Sequence, residues 1–359
     1  MAGRLAGPVL PRAQAVPPTA AAPSAPHLIC PRRRQLLSLP PLLGLAAVAG
    51  TCPAAAAAAD GETASTGNAA SASSPAAPRP DSLAGRIATQ GSIQQPGIMP
   101  PWAPKQLYYP RWMFGEWQVD TEFVALRTPL GRDFVPPGFL QAAEAPADEG
   151  GLGSTYAFRQ RFYSTLPDTL DNQLRVNLGL GMPRDAIIPD RAFNTRESTN
   201  AFLGWQAVDE VDYDPRGAPL RQVVTLSRLA PDTAPLPPRR LELFINSLSS
   251  EEGAAEGGLE PAFYTSELCR QVLVGVRQVE VKDYEIMHSY RLAAPGVVDG
   301  RQRSCLYLQP QEERFFQAAG RAVAVYDYRF RMQRLPAPGD APLGAAACVQ
   351  TPKAVWQCV

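Results

Sequence analysis

After residue 27 this 359-residue chain holds one histidine, His288. Ser-His-Asp and Cys-His chemistry would both have to use that single imidazole. No Cys-x-x-Cys pair occurs and histidines do not cluster, so the donor set of a zinc site is missing. There is no nucleophile elbow and no phosphate-binding glycine loop. No catalytic residue, metal or cofactor is assigned, and an enzyme is the least favoured reading. Carboxylates two apart on a strand, such as Asp283 and Glu285, more often face solvent than carry protons. No acid precedes Asp60, whereas residues 1–59 carry five arginines. Beyond them 29 basic residues face 34 acidic ones, a net charge of −5. That balance has no long-range attraction for phosphate backbones, so nucleic acid is set aside as a partner.

What the N-terminus does contain is an address. In "PRRRQLLSLPPLLGLAAVAGTCPAAAAAAD", residues 31–60, a basic cluster precedes an apolar stretch and a run of small residues. That is the order of an export signal. The apolar part is about 14 residues, short of the roughly 20 that span a bilayer, and Pro40 and Pro41 interrupt it. Arg33-Arg34 followed by Gln35-Leu36-Leu37 resembles a twin-arginine signal. The acid-free Ala/Pro/Arg-rich extension in front suits a plastid transit peptide. The expectation is a bipartite signal over 1–59 and delivery to the chloroplast thylakoid lumen. Residues 60–104 read as a disordered or extended linker, low in complexity at their start. No later segment is long and apolar enough to cross a membrane, so the chain is expected not to be transmembrane, at most peripheral.

The rest alternates with period two. In "GEWQVDTEFVAL", residues 115–126, Trp117, Val119, Thr121 and Phe123 oppose Gln118, Asp120 and Glu122. Similar runs occupy 154–164, 239–250, 266–278, 281–292, 301–310 and 322–335, and 209–228 reads as a hairpin turned by Asp214-Pro215-Arg216-Gly217. No stretch beyond about 12 residues carries a helical stripe. Closing a sheet removes its edges. The expected fold is all-β: an antiparallel closed or nearly closed β-barrel of about 8–10 strands over 105–334, wide enough for one small ligand. An irregular tail follows over 335–359. Four cysteines beyond the signal, Cys269, Cys305, Cys348 and Cys358, allow three pairings. Cys348 with Cys358 would close a small loop, and Cys269 with Cys305 would join neighbouring strands; isolated buried thiols remain the alternative.

Gly115-Glu116-Trp117 at the head of the first strand resembles the opening motif of lipocalins and related calycin barrels. That resemblance implies a tryptophan across one barrel end under an arginine of the last strand, with Arg329, Arg331 and Arg334 as candidates. A longer resemblance is carried by "YPRWMFGEWQVDTEF", "PDRAFNTRES", "FYTSELCRQVLVG", "VEVKDYEIMHSYRL" and "CLYLQPQEERFFQAAGRAVAVYDYRFRM". These segments are similar to an uncharacterised family of cyanobacterial and chloroplast proteins. The family implies a photosynthetic source and agrees with the lumenal address, but brings no activity or site residue.

Two functions are expected, in this order. The first is a lumenal, lipocalin-like protein that binds an apolar ligand, a lipid or a pigment. Trp117, Phe123, Tyr284 and Tyr290 would line its interior, with His288 or Arg191 as its few polar groups. His288 lies on the more apolar face of its strand, where a hydrogen-bonded core histidine is the plainer reading. "PDRAFNTRES" reads as a polar loop in which Asp190 or Asn194 satisfies backbone donors, or in which Arg191 grips an anionic group. The second function is a non-enzymatic assembly or stability factor docking on a photosynthetic complex, with exposed Trp102, Tyr108 and Tyr109 as anchors.

Overall fold

The computed structural model describes residue 79 and residues 81–359, apart from 167–168, 180, 230–234, 236, 255–259, 277–278 and 340–344. The signal expected over 1–59 and the linker up to residue 78 lie outside the described residues. All described residues fall within one unit, Arg33–Val359.

Ten antiparallel strands form one sheet. In chain order they are β1 (Gly115–Arg127), β2 (Thr155–Thr165), β3 (Ala186–Pro189), β4 (Val208–Asp212), β5 (Arg221–Leu226), β6 (Arg239–Ala254), β7 (Pro261–Val274), β8 (Val279–Ala294), β9 (Val297–Tyr307) and β10 (Ala324–Arg334). In space they run β3-β2-β1-β10-β9-β8-β7-β6-β5-β4. The two ends of the chain's strand array meet in the middle of the sheet, where Trp117 pairs with Arg334 and Phe123 with Tyr328. The sheet is strongly curled into a half-barrel that is open rather than closed. Register slips at Phe123/Ala125, Ile245/Ser247 and Leu292/Ala294 are places where extra residues bend and twist a strand.

The closed barrel is therefore corrected to an open one, and the physical reason lies at the two edges. β3 has four residues and ends in Pro189, which has no amide hydrogen to offer a further strand. The chain then turns into a helix instead of pairing with β4. This helix, Arg191–Leu203, is one of five α-helices among the described residues; the others are Leu83–Ala88 (α1), Pro137–Ala143 (α2), Leu170–Leu178 (α3) and Phe315–Ala318 (α5), so Arg191–Leu203 is α4. Asp190 caps α4 by accepting from the Phe193 amide at 3.1 Å, and Gly204 ends it in the left-handed region at φ 75°. The polar loop expected over 189–198 is thus mostly helix, although Asp190 and Asn194 do satisfy backbone groups there.

α4 lies across the seam and bonds both edges. The Asn194 amide accepts from Arg161 N at 2.7 Å and donates to Arg161 O at 3.2 Å, meeting the free edge of β2 as a strand would. Six residues on, Asn200 Oδ1 accepts from Ala207 N and Val208 N at the head of β4. Gln222 of β5 donates to Thr195 Oγ1 and to the Arg191 carbonyl. Without them the amides of Arg161, Ala207 and Val208 would lose these partners, while the Arg161 carbonyl also accepts from Asp190 N at 2.9 Å.

Inner-face side chains form two apolar clusters at opposite ends of the strands. One gathers Trp117, Phe158, Phe162, Phe263, Tyr290 and Met332 with the turn Arg111–Met113. The other gathers Phe123, Tyr284, Leu306, Val224 and Leu241, closed over by Phe139 of α2. Within the stretch expected as a linker, α1 docks on the outer face. Ile87 and Ile93 cover Leu268, Met287 and Cys305 there. Arg86 pairs at 2.7 Å with Glu285, which is fully buried and also accepts from Ser266 and Tyr307. The tail carries a small hairpin, β11 (Cys348–Gln350) and β12 (Trp356–Cys358), joined by a Cys348–Cys358 disulfide. Cys269 and Cys305 are buried free thiols on opposite faces of the sheet, with β8 between their strands, so they do not pair.

Candidate functional site

Alternation along the strands places the expected interior residues on one concave surface. Trp117 is fully buried. Its indole donates to the Met113 carbonyl at 2.8 Å, and the Arg334 guanidinium lies 4.8 Å over its ring. Of the three arginines proposed from the calycin resemblance, Arg334 is the one that takes this place. Tyr290 belongs to the same end, edge-on to Phe330 at 5.3 Å. Gly300 between them has to lack a side chain: a Cβ there would lie 2.1 Å from the Phe330 ring and from the Ser289 carbonyl oxygen. At the far end Phe123 stacks on Tyr328 at 5.0 Å, and Tyr284 is buried beside it in the same cluster.

Between the two aromatic ends runs a buried polar layer. Thr265, His288 and Gln302 are direct neighbours across β7, β8 and β9. The Gln302 amide nitrogen donates to Ser304 Oγ at 3.0 Å, which turns its carbonyl oxygen toward His288 Nε2 at 3.2 Å. The Gln302 carbonyl oxygen thus faces one ring nitrogen of His288, and the Thr265 hydroxyl lies 3.5 Å from the other, Nδ1. His288 is thus a hydrogen-bonded core histidine that also belongs to the layer.

Arg191, at the start of α4, reaches into this layer and grips Glu267 of β7 with two bonds of 2.5 and 3.0 Å. Burial opposes the Arg191 charge, but the Glu267 carboxylate more than restores it. Burial likewise pushes the Glu267 carboxyl up, and the Arg191 charge and hydrogen bonds outweigh that, holding it below its ordinary value. Paired this way, Arg191 has its charge neutralised inside the protein. Burial, and then the nearby Glu267 carboxylate, push the Tyr109 phenol well up.

Tyr109 sits differently from expectation. Its ring packs 5.0 Å from Phe162 and 5.2 Å from Phe263, turned toward the inner face. Tyr108 is half-buried against the same cluster. Trp102 stands out in solvent, 85% exposed, near Ile98 at 83%.

Thr265, Glu267 and Gln302 carried no individual signal in the sequence; Thr121, Tyr156 and Tyr326 fell on the apolar faces of their alternating runs, but nothing marked them as part of a polar layer. Parity was the signal that could have found Thr265, Glu267 and Gln302, since each stands an even number of places from an inner-face residue. Among the described residues no group of three or more His, Cys, Asp or Glu side chains could hold a metal ion. No described helix is long and apolar enough to cross a membrane.

No curated protein and no solved structure matches the chain. One family model does, over residues 101–336, a span that starts just before the turn under Trp117 and ends just after β10. The match covers the whole ten-stranded sheet and more than half of the sequence. The chain therefore belongs to the family described as a domain of unknown function, DUF6816.

Proposed function

We propose that this protein binds a small, largely apolar molecule, a lipid or a pigment, on the inner face of its curled sheet, and that it does so in the thylakoid lumen. The observation that carries the reading is the seam. A sheet closed by strand pairing would have to break a ladder to admit a ligand. Here the two edges are spanned by one helix, α4, through the side chains of Asn194, Asn200 and Thr195. Side-chain bonds and the Arg191–Glu267 pair, not a strand ladder, separate the inner face from solvent there, so admitting a ligand breaks no strand pairing. Behind the seam lie aromatic surfaces and a few oriented polar groups, the usual lining of a small-molecule site. The export-type N-terminus supports the lumen, and the Cys348–Cys358 disulfide suits a compartment that tolerates such bonds.

The test is thermal unfolding of protein isolated from its own source, before and after solvent extraction. A ligand present at a hundred times its Kd adds about 2.7 kcal/mol. The extracted protein should melt several degrees lower and recover when the extract is returned. Identical curves would count against a bound ligand.

Docking on a photosynthetic complex stays as the second reading. Exposed Trp102 and Ile98, on the segment leading into β1, favour it. Co-purification with a thylakoid complex that is lost in Trp102→Ala would move the balance to this reading.

A further inference from the structure

We propose that the inner face selects an uncharged ligand carrying a hydroxyl or carbonyl oxygen on an apolar body, and that the hydroxyls of Thr121, Tyr156 and Tyr326 receive that oxygen. This rests on the ligand-binding reading above and names the class of molecule.

The three oxygens are buried and none has a hydrogen-bond partner. Thr121 and Tyr156 are opposite each other on β1 and β2. Their oxygens lie close enough for Thr121 to ease the burial of the Tyr156 phenol, yet do not meet hydrogen-bond geometry. Tyr326 lies on the same inner face, its ring 5.9 Å from that of Phe123, which is two residues along β1 from Thr121. Gln160, also on the inner face of β2, has an unpartnered carbonyl oxygen as well. Buried polar groups are nearly always paired, and leaving one unpaired costs about 1–3 kcal/mol. Several on one face of one sheet are a standing cost that a ligand oxygen would relieve.

The donor set also indicates which oxygen. A hydroxyl both donates and accepts, and an amide carbonyl accepts. Together they suit an alcohol or a ketone. The charges of this layer, Arg191 and Glu267, neutralise each other. A carboxylate or amine would enter without a counter-ion, which is strongly unfavourable in a buried site. Burial keeps the Tyr156 and Tyr326 phenols protonated, so they remain donors through the whole physiological range. Phe202 of α4 meets Tyr156 edge-on at 5.7 Å, which puts the cluster directly behind the seam.

The test uses solvent-extracted mature protein, titrated calorimetrically with 1-octanol, octanoate and ethylbenzene. 1-Octanol should bind at least about tenfold more tightly than the other two, the worth of one hydrogen bond of about 1.4 kcal/mol. Thr121→Val and Tyr326→Phe should each weaken 1-octanol about tenfold and leave ethylbenzene unchanged. Both should also raise the melting temperature of the ligand-free protein, because each deletes an unsatisfied buried group. Higher stability with lower affinity is a pattern that a purely structural hydroxyl would not produce. If all three probes bind equally and the variants change nothing, the selectivity is wrong while the carrier reading stands. If no probe binds, the carrier reading falls and takes this proposal with it.

Discussion

Arg191 and Glu267 are the two charges whose placement has the largest energetic consequence. Both are mostly buried, and each is the other's partner. Removing one member of such a pair leaves an uncompensated buried charge and costs about 3–5 kcal/mol. Arg191→Met should therefore lower unfolding stability by about that much, and Arg191→Met with Glu267→Gln should recover most of it. Urea titrations of the single and double variants measure this directly; additive losses would contradict it. The pair also sets a pH dependence. The folded pKa of Glu267 lies below its unfolded value, so the pair stabilises the fold above about pH 4.3. That contribution is lost as pH falls through the lower folded value. The wild type should lose stability in that acid window more steeply than the double variant. Arg191 was recognisable in the sequence as a polar group able to reach a site, but its partner was not. Glu267 lies in "SELCRQVLVG", 76 residues away, and nothing local marks one glutamate among many for burial.

At the scale of elements, α4 decides how the sheet ends. Asn194→Ala would leave the Arg161 amide at the seam without its partner, while the Arg161 carbonyl keeps the Asp190 amide. The expected cost is about 1–3 kcal/mol, with faster hydrogen exchange at Arg161 and through α4 while β8 and β9 stay protected. Exchange that rises uniformly would mean that α4 and the sheet open as one unit. This helix was not legible as a helix because its buried side is polar. Asn194, Thr195, Ser198 and Thr199 face inward, so no apolar stripe appears at helical spacing. Its caps, Asp190 and Gly204, were visible on either side of thirteen residues and were the better signal. The long strands were legible because each has one face in the core. β8 is the clear case: Tyr284, Ile286, His288 and Tyr290 share the inner face, as the alternation implied. α1 was hidden by its setting. A six-residue helix in a Ser/Ala/Gly-rich stretch gives little periodic signal, and what holds it is Arg86 bonding to a glutamate 199 residues away.

For the whole molecule, strand number and antiparallel pairing followed from alternation and short connections, and the tryptophan under an arginine was what the resemblance of Gly115-Glu116-Trp117 to calycin barrels implied. Closure did not follow, because it depends on whether two short edge strands meet, and a helix stands between them. The inner face was read as apolar from its aromatics. Folding adds a polar layer from Thr121, Thr265, Gln302 and Tyr326, which individually look like any half-buried strand residue. The account's central claim is that this face holds a small uncharged molecule. Native mass spectrometry of the protein isolated from its own source tests it most directly. The account predicts a mass above that of the bare chain, lost on mild denaturation and released as a neutral lipid or pigment bearing hydroxyl or carbonyl oxygen. A bare mass from gently handled protein would contradict it.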